Sequence, residues 1–242
     1  MGAVMIDTAM VLAAGYGKRM RPLTETIPKP MVRLAGRPLI DHVLDRLAEA
    51  GVRQVVTNVH YLADVIEAHL GERAGPPQIA ISDERDMLLD TGGGVKKALD
   101  RLGPEGFFIQ NSDSVWIEEG ERNLSRLASL WEPARMDALL LLADARGSLG
   151  YAGAGDFWLD DDGRLIRRSP DEVAPYVFAG ASIAHPRLFD HSPDGAFSLN
   201  PLWDRAAARG RLFGATLKGE WMHIGTPEAL EAAEQRLRDK AA

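Results

Sequence analysis

The chain predicts an α/β fold in which helices cover both faces of a mostly parallel sheet. Three observations predict it. Short apolar runs alternate with helix-period segments through the first 145 residues. Several of those runs are apolar at successive positions, as strands buried on both faces are. Beyond residue 145 the alternation gives way to hairpin-like pairs, which predicts a smaller antiparallel part.

The first strand is Ala9-Met10-Val11-Leu12, running into Ala-Ala-Gly. Leu39, Ile40, Val43, Leu44 and Leu47 recur at helical spacing, and Gly51 stops that helix. Gln54 to Val59 is a second strand. Leu62 to Leu70 is a helix, which Gly71 ends. Gln78 to Ser82 alternates weakly as a third strand. Thr91-Gly92-Gly93-Gly94 reads as a turn before a helix over Val95 to Leu102. Phe107-Phe108-Ile109 is a fourth strand ending in Asn111-Ser112-Asp113, Asn123 to Trp131 a helix, and Ala138 to Ala143 a fifth strand. In the second half, Phe157-Trp158-Leu159 and Leu165-Ile166 form a hairpin around the exposed acidic turn Asp160-Asp161-Asp162-Gly163. Tyr176 to Ala184 is a strand, Leu199 to Ala208 a helix, and Leu212 to Ile224 one or two strands. Thr226-Pro227-Glu228 opens the last helix with a capping hydroxyl, proline in the first turn and an acid at the positive end. Residues 1–242 read as one domain, with a nucleotide-binding half (1–145) and an acceptor-binding half (146–242).

Composition narrows the function. The net charge of −7 argues against a nucleic-acid binder. The absence of cysteine excludes disulfides, a thiol nucleophile and a cysteine zinc site. No apolar run is long enough to span a bilayer, so no membrane partner and a cytoplasmic location are expected. Positive charge is concentrated in one stretch, "LAAGYGKRMRPLTETIPKP", which holds Lys18, Arg19, Arg21 and Lys29. Glycine lets a backbone approach a ligand closely, and prolines on both sides stiffen Lys29. A loop built this way suits a polyphosphate. It is neither a complete dinucleotide fingerprint nor an NTPase phosphate loop, because Met20 stands at the third glycine position and Arg19 follows Lys18. The Gly15 loop, the Gly92 loop and Asp113 all follow strand ends or lie one loop away, which places them at one crevice.

The stretch "LAAGYGKRMRPLTETIPKPMVRLAGRPLI" resembles the signature of the sugar-1-phosphate nucleotidyltransferases, or nucleotide-sugar pyrophosphorylases. The resemblance implies a three-layer, Rossmann-like, mostly parallel sheet with a small antiparallel acceptor-binding part. It also implies transfer from a nucleoside triphosphate to a sugar 1-phosphate with release of pyrophosphate. Carried over by position, it puts Leu12, Ala13, Ala14 and Gly15 at the base and ribose. Gly17, Lys18 and Arg19 fall at the triphosphate, Arg19 on the leaving pyrophosphate. Lys29 falls at the α-phosphate and the incoming sugar phosphate. Gly92 and Gly93 approach the base through backbone groups, Asn111 faces the nucleotide, and Asp113 is the metal-binding aspartate. Gly155 and Gly180 shape the sugar pocket. Arg19, Lys29 and Asp113 carry catalysis, which rests on positioning and charge stabilisation.

One position departs from the pattern. "EWMHIGTP" resembles the family's W-x-D-x-G-T segment, with His223 where the second metal-binding aspartate falls. Three readings follow. Asp113, phosphates and water suffice for Mg2+; His223 favours Mn2+ or another softer ion; or catalysis is lost and binding kept. The first is preferred, since the remaining phosphate-binding pattern is complete. Asp83, Glu84 and Asp86 stand as base-selecting candidates or as a solvated loop, while Trp131 and Trp203 read as packing residues and Trp221 as packing beneath the site.

The chain's length, "LDTGGGVKKAL", "GAGDFWL" and "FAGASIAHPRLF" most resemble the short N-acetylmuramate-1-phosphate uridylyltransferases of peptidoglycan recycling. The implied substrates are UTP and N-acetylmuramate α-1-phosphate, with Arg167, Arg168 or Lys218 as candidate partners for the lactyl carboxylate. A mannose-1-phosphate guanylyltransferase, another small-sugar enzyme, and a non-catalytic nucleotide-sugar sensor stay open. The expected state is a monomer or small homo-oligomer.

Overall fold

Met10 divides the core. In the computed structural model, which describes residues 5–241, β1 (Thr8–Leu12) sends Ala9 and Val11 to one face of the sheet and Met10 to the other. All three are fully buried, as a central strand covered on both sides requires. The signature loop follows as three short 3-10 turns, at Lys18–Met20, Leu23–Glu25 and Lys29–Met31. A two-residue hairpin, β2 (Arg33–Leu34) and β3 (Arg37–Pro38), leads into α1 (Leu39–Glu49), whose buried stripe is the one its spacing predicts.

The chain continues through β4 (Gln54–Val59), α2 (Ala63–Glu72), β5 (Gln78–Asp83), α3 (Asp90–Ala98), β6 (Phe107–Asn111) and β7 (Ser114–Glu118). Next come α4 (Asn123–Ser129), β8 (Ala138–Asp144), β9 (Phe157–Leu159), β10 (Leu165–Arg167) and β11 (Tyr176–Ala184). The last elements are α5 (Asn200–Ala208), β12 (Leu212–Thr216), β13 (Gly219–His223) and α6 (Pro227–Ala241).

Strands β5, β4, β1 and β6 lie side by side and parallel. Strand β11 joins β6 antiparallel, β8 joins β11 antiparallel, and β12 runs parallel to β8. The β9–β10 hairpin meets the start of β11 and completes nine strands. One apolar core packs α1, α2 and α4 against one face, and a second packs α3 and α5 against the other. The fold is therefore three-layered, as expected. A third cluster, with Met20, Leu34, Val115, Met222 and Ile224, lies under the signature loop.

Two local readings change. Gly92, Gly93 and Gly94 are not a turn but lie inside α3, just after its first residues Asp90 and Thr91. The N–H groups of Gly92 and Gly93 both donate to the carbonyl of Phe197, at 2.8 and 3.1 Å. A Cβ on Gly92 would lie 2.4 Å from the Phe197 ring, and one on Gly93 2.2 Å from the Gly195 carbonyl oxygen. A distant carbonyl thus caps the open donors of this helix end, and tertiary packing overrides the turn propensity. Gly71 likewise lies inside α2, which runs on to Glu72. Strand β7, which the sequence reading left unassigned, pairs antiparallel with β13 and sets His223 opposite Ser114.

Candidate active site

The carboxyl ends of β1, β4 and β6 surround a cavity of about 400 Å³. Leu12, Ala13, Ala14, Gly15 and Gly17 line it from the first strand and its loop, and Lys29, Asn111 and Asp113 line it too, whereas Lys18, Arg19, Gly92 and Gly93 do not. The two glycines differ physically. Gly15 has open space where a Cβ would stand. Gly17 has φ +62°, and a Cβ on it would lie 2.9 Å from the Lys29 Cβ and 3.1 Å from the Thr24 Cγ2. Gly17 therefore lets the loop fold back against Lys29, and Thr24 Oγ1 secures that fold by donating to the Gly17 carbonyl at 2.8 Å.

Lys29 forms an ion pair with Asp113, its ammonium largely buried and the carboxylate more open. Each group thereby holds the other in place at the mouth of the cavity. Lys18 and Arg19 are exposed on the adjoining 3-10 turn and make no ion pair among the described residues. Lys18 Nζ lies 5.4 Å from the Tyr16 ring centre. A Cβ on Gly225 would lie 2.8 Å from His223 Nε2 and 3.3 Å from Arg19 Nη1, so that glycine separates the imidazole from the guanidinium. Burial pushes the His223 pKa below its ordinary value; Asp113 opposes the shift, and Lys29 and Arg19 add to it. Trp221 packs against the His223 ring at 5.4 Å and donates from Nε1 to Ser114 Oγ at 3.2 Å.

Asp113, Asp90 and His223 are the groups at or near the cavity with metal-ligating chemistry. Among the described residues no cluster of three or more His, Cys, Asp or Glu could hold an ion. This donor set fits a cation that takes one carboxylate from the protein and fills its shell with phosphate oxygens and water, as magnesium does.

Gly92 and Gly93 give their N–H groups to the Phe197 carbonyl, and the residues of this segment that line the cavity are Leu88, Asp90 and Thr91. Asp90 sits in the left-handed region at φ +59° and accepts from the Thr91 N–H at 2.6 Å. Gly180, at φ +83°, stands where the pairing of β11 with β8 breaks, and a Cβ there would lie 2.5 Å from Ser114 Oγ. The gap allows β7 to start close beneath Asn111. Gly155, at φ +73°, abuts the Ala174 carbonyl oxygen and turns the chain so that Asp156 reaches a second cavity.

Asn58 was missed. Its Oδ1 accepts from the Ala13 N–H at 2.8 Å, and its Nδ2 donates to Glu84 Oε1 at 2.8 Å. Glu84 Oε2 accepts from the Leu89 N–H at 3.0 Å. This buried relay locks together the ends of β1 and β4 and the turn before α3. The only signal was a polar residue inside an apolar strand. Glu84 thus supports the cavity wall, whereas Asp83 pairs with Arg85 at the surface.

The nucleotidyl transferase family model matches residues 8–144. The chain belongs to this family. It is 50% identical over 234 residues to the N-acetylmuramate alpha-1-phosphate uridylyltransferase of Caulobacter vibrioides, covering 96% of this chain and 97% of the relative. The protein of the same name from Neisseria meningitidis serogroup B is 35% identical over 228 residues, covering 93% and 96%. A solved UDP-glucose pyrophosphorylase in complex with UDP-glucose superposes with a TM-score of 0.80, at 18% identity, over 98% of this chain and all of that one (100%). That likeness concerns the fold of this nucleotidyl transferase. Among its described residues, no helix is long and apolar enough to cross a membrane.

Proposed function

We propose that the protein joins UTP to N-acetylmuramate α-1-phosphate, giving UDP-N-acetylmuramate and pyrophosphate. The likeness to the Caulobacter relative along nearly the whole of both chains carries the choice of substrates. The chemistry matches the site. A phosphate oxygen of the sugar 1-phosphate attacks the α-phosphorus in line, the new P–O bond forms, and the α–β bridging bond breaks toward pyrophosphate. No enzyme nucleophile is needed. The residues of the first half hold the nucleotide and those of the second half hold the sugar.

Lys29 lines the cavity and Lys18 and Arg19 stand on the adjoining turn, so these three cations outnumber the carboxylates of Asp113 and Asp90 and the mouth favours polyanions. Gly15 floors the cavity and gives the nucleotide backbone-close access. Arg19 stabilises the departing pyrophosphate and Lys29 orients the α-phosphate. A divalent ion at Asp113, magnesium or in its place manganese, neutralises phosphate charge when bound. His223, held neutral by burial near pH 7, lies beside that position without adding charge to it.

Pyrophosphate release over four nucleoside triphosphates and several sugar 1-phosphates, with magnesium and then manganese, tests the proposal. UTP with N-acetylmuramate α-1-phosphate should give the highest kcat/KM. Preference for GTP with mannose 1-phosphate would overturn it, and so would UTP binding with no pyrophosphate under either metal. Asp113→Asn should lower turnover by on the order of a hundredfold, while Tm shows whether the fold persists. Undiminished turnover with both metals would refute the role of Asp113.

A further inference from the structure

We infer that Arg167 reads a carboxylate on the acceptor sugar. The inference rests on the activity proposed above and concerns which acceptor that site prefers. Beside the nucleotide cavity lies a second one of about 300 Å³, which shares Asp90, Thr91 and Asn111 with it. Three aromatic residues line it, together with polar groups that include the Asp90 and Asp156 carboxylates. Phe178 and Trp203 meet edge to face at 4.8 Å, and Phe157 adjoins them. Such a wall suits the apolar face of a sugar ring.

Two donors on this wall have capacity left. Trp203 is 5% exposed, and its Nε1–H has no partner in the protein. Among the described residues, Arg167 is the one cation lining the cavity. Its guanidinium lies over the Phe157 ring at 4.7 Å. Nε donates to Asp204, and Nη2 donates to Asn200 Oδ1 at 3.2 Å. Those contacts fix the planar fork and leave Nη1 without a protein partner among the described residues. Asp204 is half exposed, so water screens its offset of the Arg167 charge. A preorganised guanidinium with an unused nitrogen is a carboxylate receptor.

The other candidate cations are committed elsewhere. Arg168 donates through Nε and Nη1 to the carbonyls of Gly155, Ser169, Pro170 and Glu172, and it lines neither cavity. Lys218 belongs to the turn between β12 and β13, where Asn123 grips its backbone, and it lines neither cavity. N-acetylmuramate differs from N-acetylglucosamine by a lactyl ether that ends in a carboxylate. Arg167 therefore discriminates between those two acceptors.

The test measures kcat/KM for both sugar 1-phosphates at saturating UTP, in the wild type and in Arg167→Ala and Arg167→Lys. The wild-type preference for the carboxylate-bearing sugar should collapse on the order of 10- to 100-fold in Arg167→Ala, chiefly through KM. Arg167→Lys should retain an intermediate preference, and it keeps the test valid if the alanine variant folds poorly. Equal losses on both sugars in both variants would mean that Arg167 only supports the wall, and the inference would fall alone. A wild type that turns over neither sugar would instead overturn the proposed activity, and this inference with it.

Discussion

Gly15 and Gly17 stand two residues apart, yet alanine at each should fail in a different way. At Gly17 the φ of +62° is one that L side chains adopt at a cost of about 1–2 kcal/mol. The new Cβ would also lie 2.9 Å from the Lys29 Cβ and 3.1 Å from the Thr24 Cγ2. Lys29 cannot simply step aside, because it sits between two prolines on a 3-10 turn and pairs with Asp113. Strain and an overpacking cost of about 1–3 kcal/mol together come to about 2–5 kcal/mol. For a chain of this size that is a fall in Tm of about 4–20 °C. Any relief must shift Lys29 against Asp113, so kcat/KM for UTP should fall on the order of 10- to 100-fold. At Gly15 the backbone is ordinary and no protein atom lies within 4 Å of the new methyl. Gly15→Ala should keep the wild-type Tm within about 1 °C, while its KM for UTP rises, because the methyl enters the space meant for nucleotide. Differential scanning fluorimetry and steady-state pyrophosphate release read the two effects separately. An unchanged KM in Gly15→Ala would remove Gly15 from the floor of the site. Unchanged Tm and kcat/KM in Gly17→Ala would refute the claim that this glycine sets the place of Lys29.

Asp137 accepts from Arg187 Nε at 2.6 Å and Arg211 Nε at 2.8 Å at the start of β8. Burial raises its carboxyl pKa and the two guanidinium hydrogen bonds more than offset that, so the net pKa is lowered from 3.8. Asp137→Asn should cost about 2–3 kcal/mol near pH 7 in urea unfolding, less than a fully buried pair because both arginines are partly hydrated. A depressed carboxyl stabilises fully above its unfolded value and loses that contribution as pH falls through the folded one, so the gap should narrow below pH 3.8; a constant gap would contradict the pairing. His223 has its pKa lowered from 6.5, so the unfolded chain binds its proton first as pH falls. Its contribution is complete above pH 6.5 and lost below it. His223→Gln should therefore lose less Tm than the wild type between pH 7.5 and pH 5.5, and parallel losses would refute the burial argument.

What the sequence made legible was what one segment decides by itself. The apolar runs at residues 54–59, 107–111 and 176–184 carry their own burial pattern, and their strands fall where that pattern puts them. The cations and prolines of residues 18–30 likewise concentrate positive charge and stiffness within a single loop. What stayed hidden depends on partners far along the chain. The glycines at 92 and 93 look like a turn until a carbonyl about a hundred residues away takes their N–H groups. Asn58 looks like a flaw in a strand until Ala13 on one side and Glu84 on the other use both ends of its amide.

The same distinction bears on the cations of the acceptor half. Arg167, Arg168 and Lys218 are equal candidates by residue type, since each could meet a carboxylate. Their places in the fold separate them. Arg168 donates to four carbonyls and lines neither cavity, Lys218 lies beyond the cavities, and Arg167 keeps one nitrogen without a partner among the described residues, beside Phe157, Phe178 and Trp203. The free nitrogen is itself a product of the fold, because Asp204 and Asn200 on α5 occupy the rest of the fork and hold it still. Affinity for a charged sugar substituent thus depends on α5 as much as on Arg167. A change at Asn200 that loosens the guanidinium should weaken acceptor selectivity even though the charge remains.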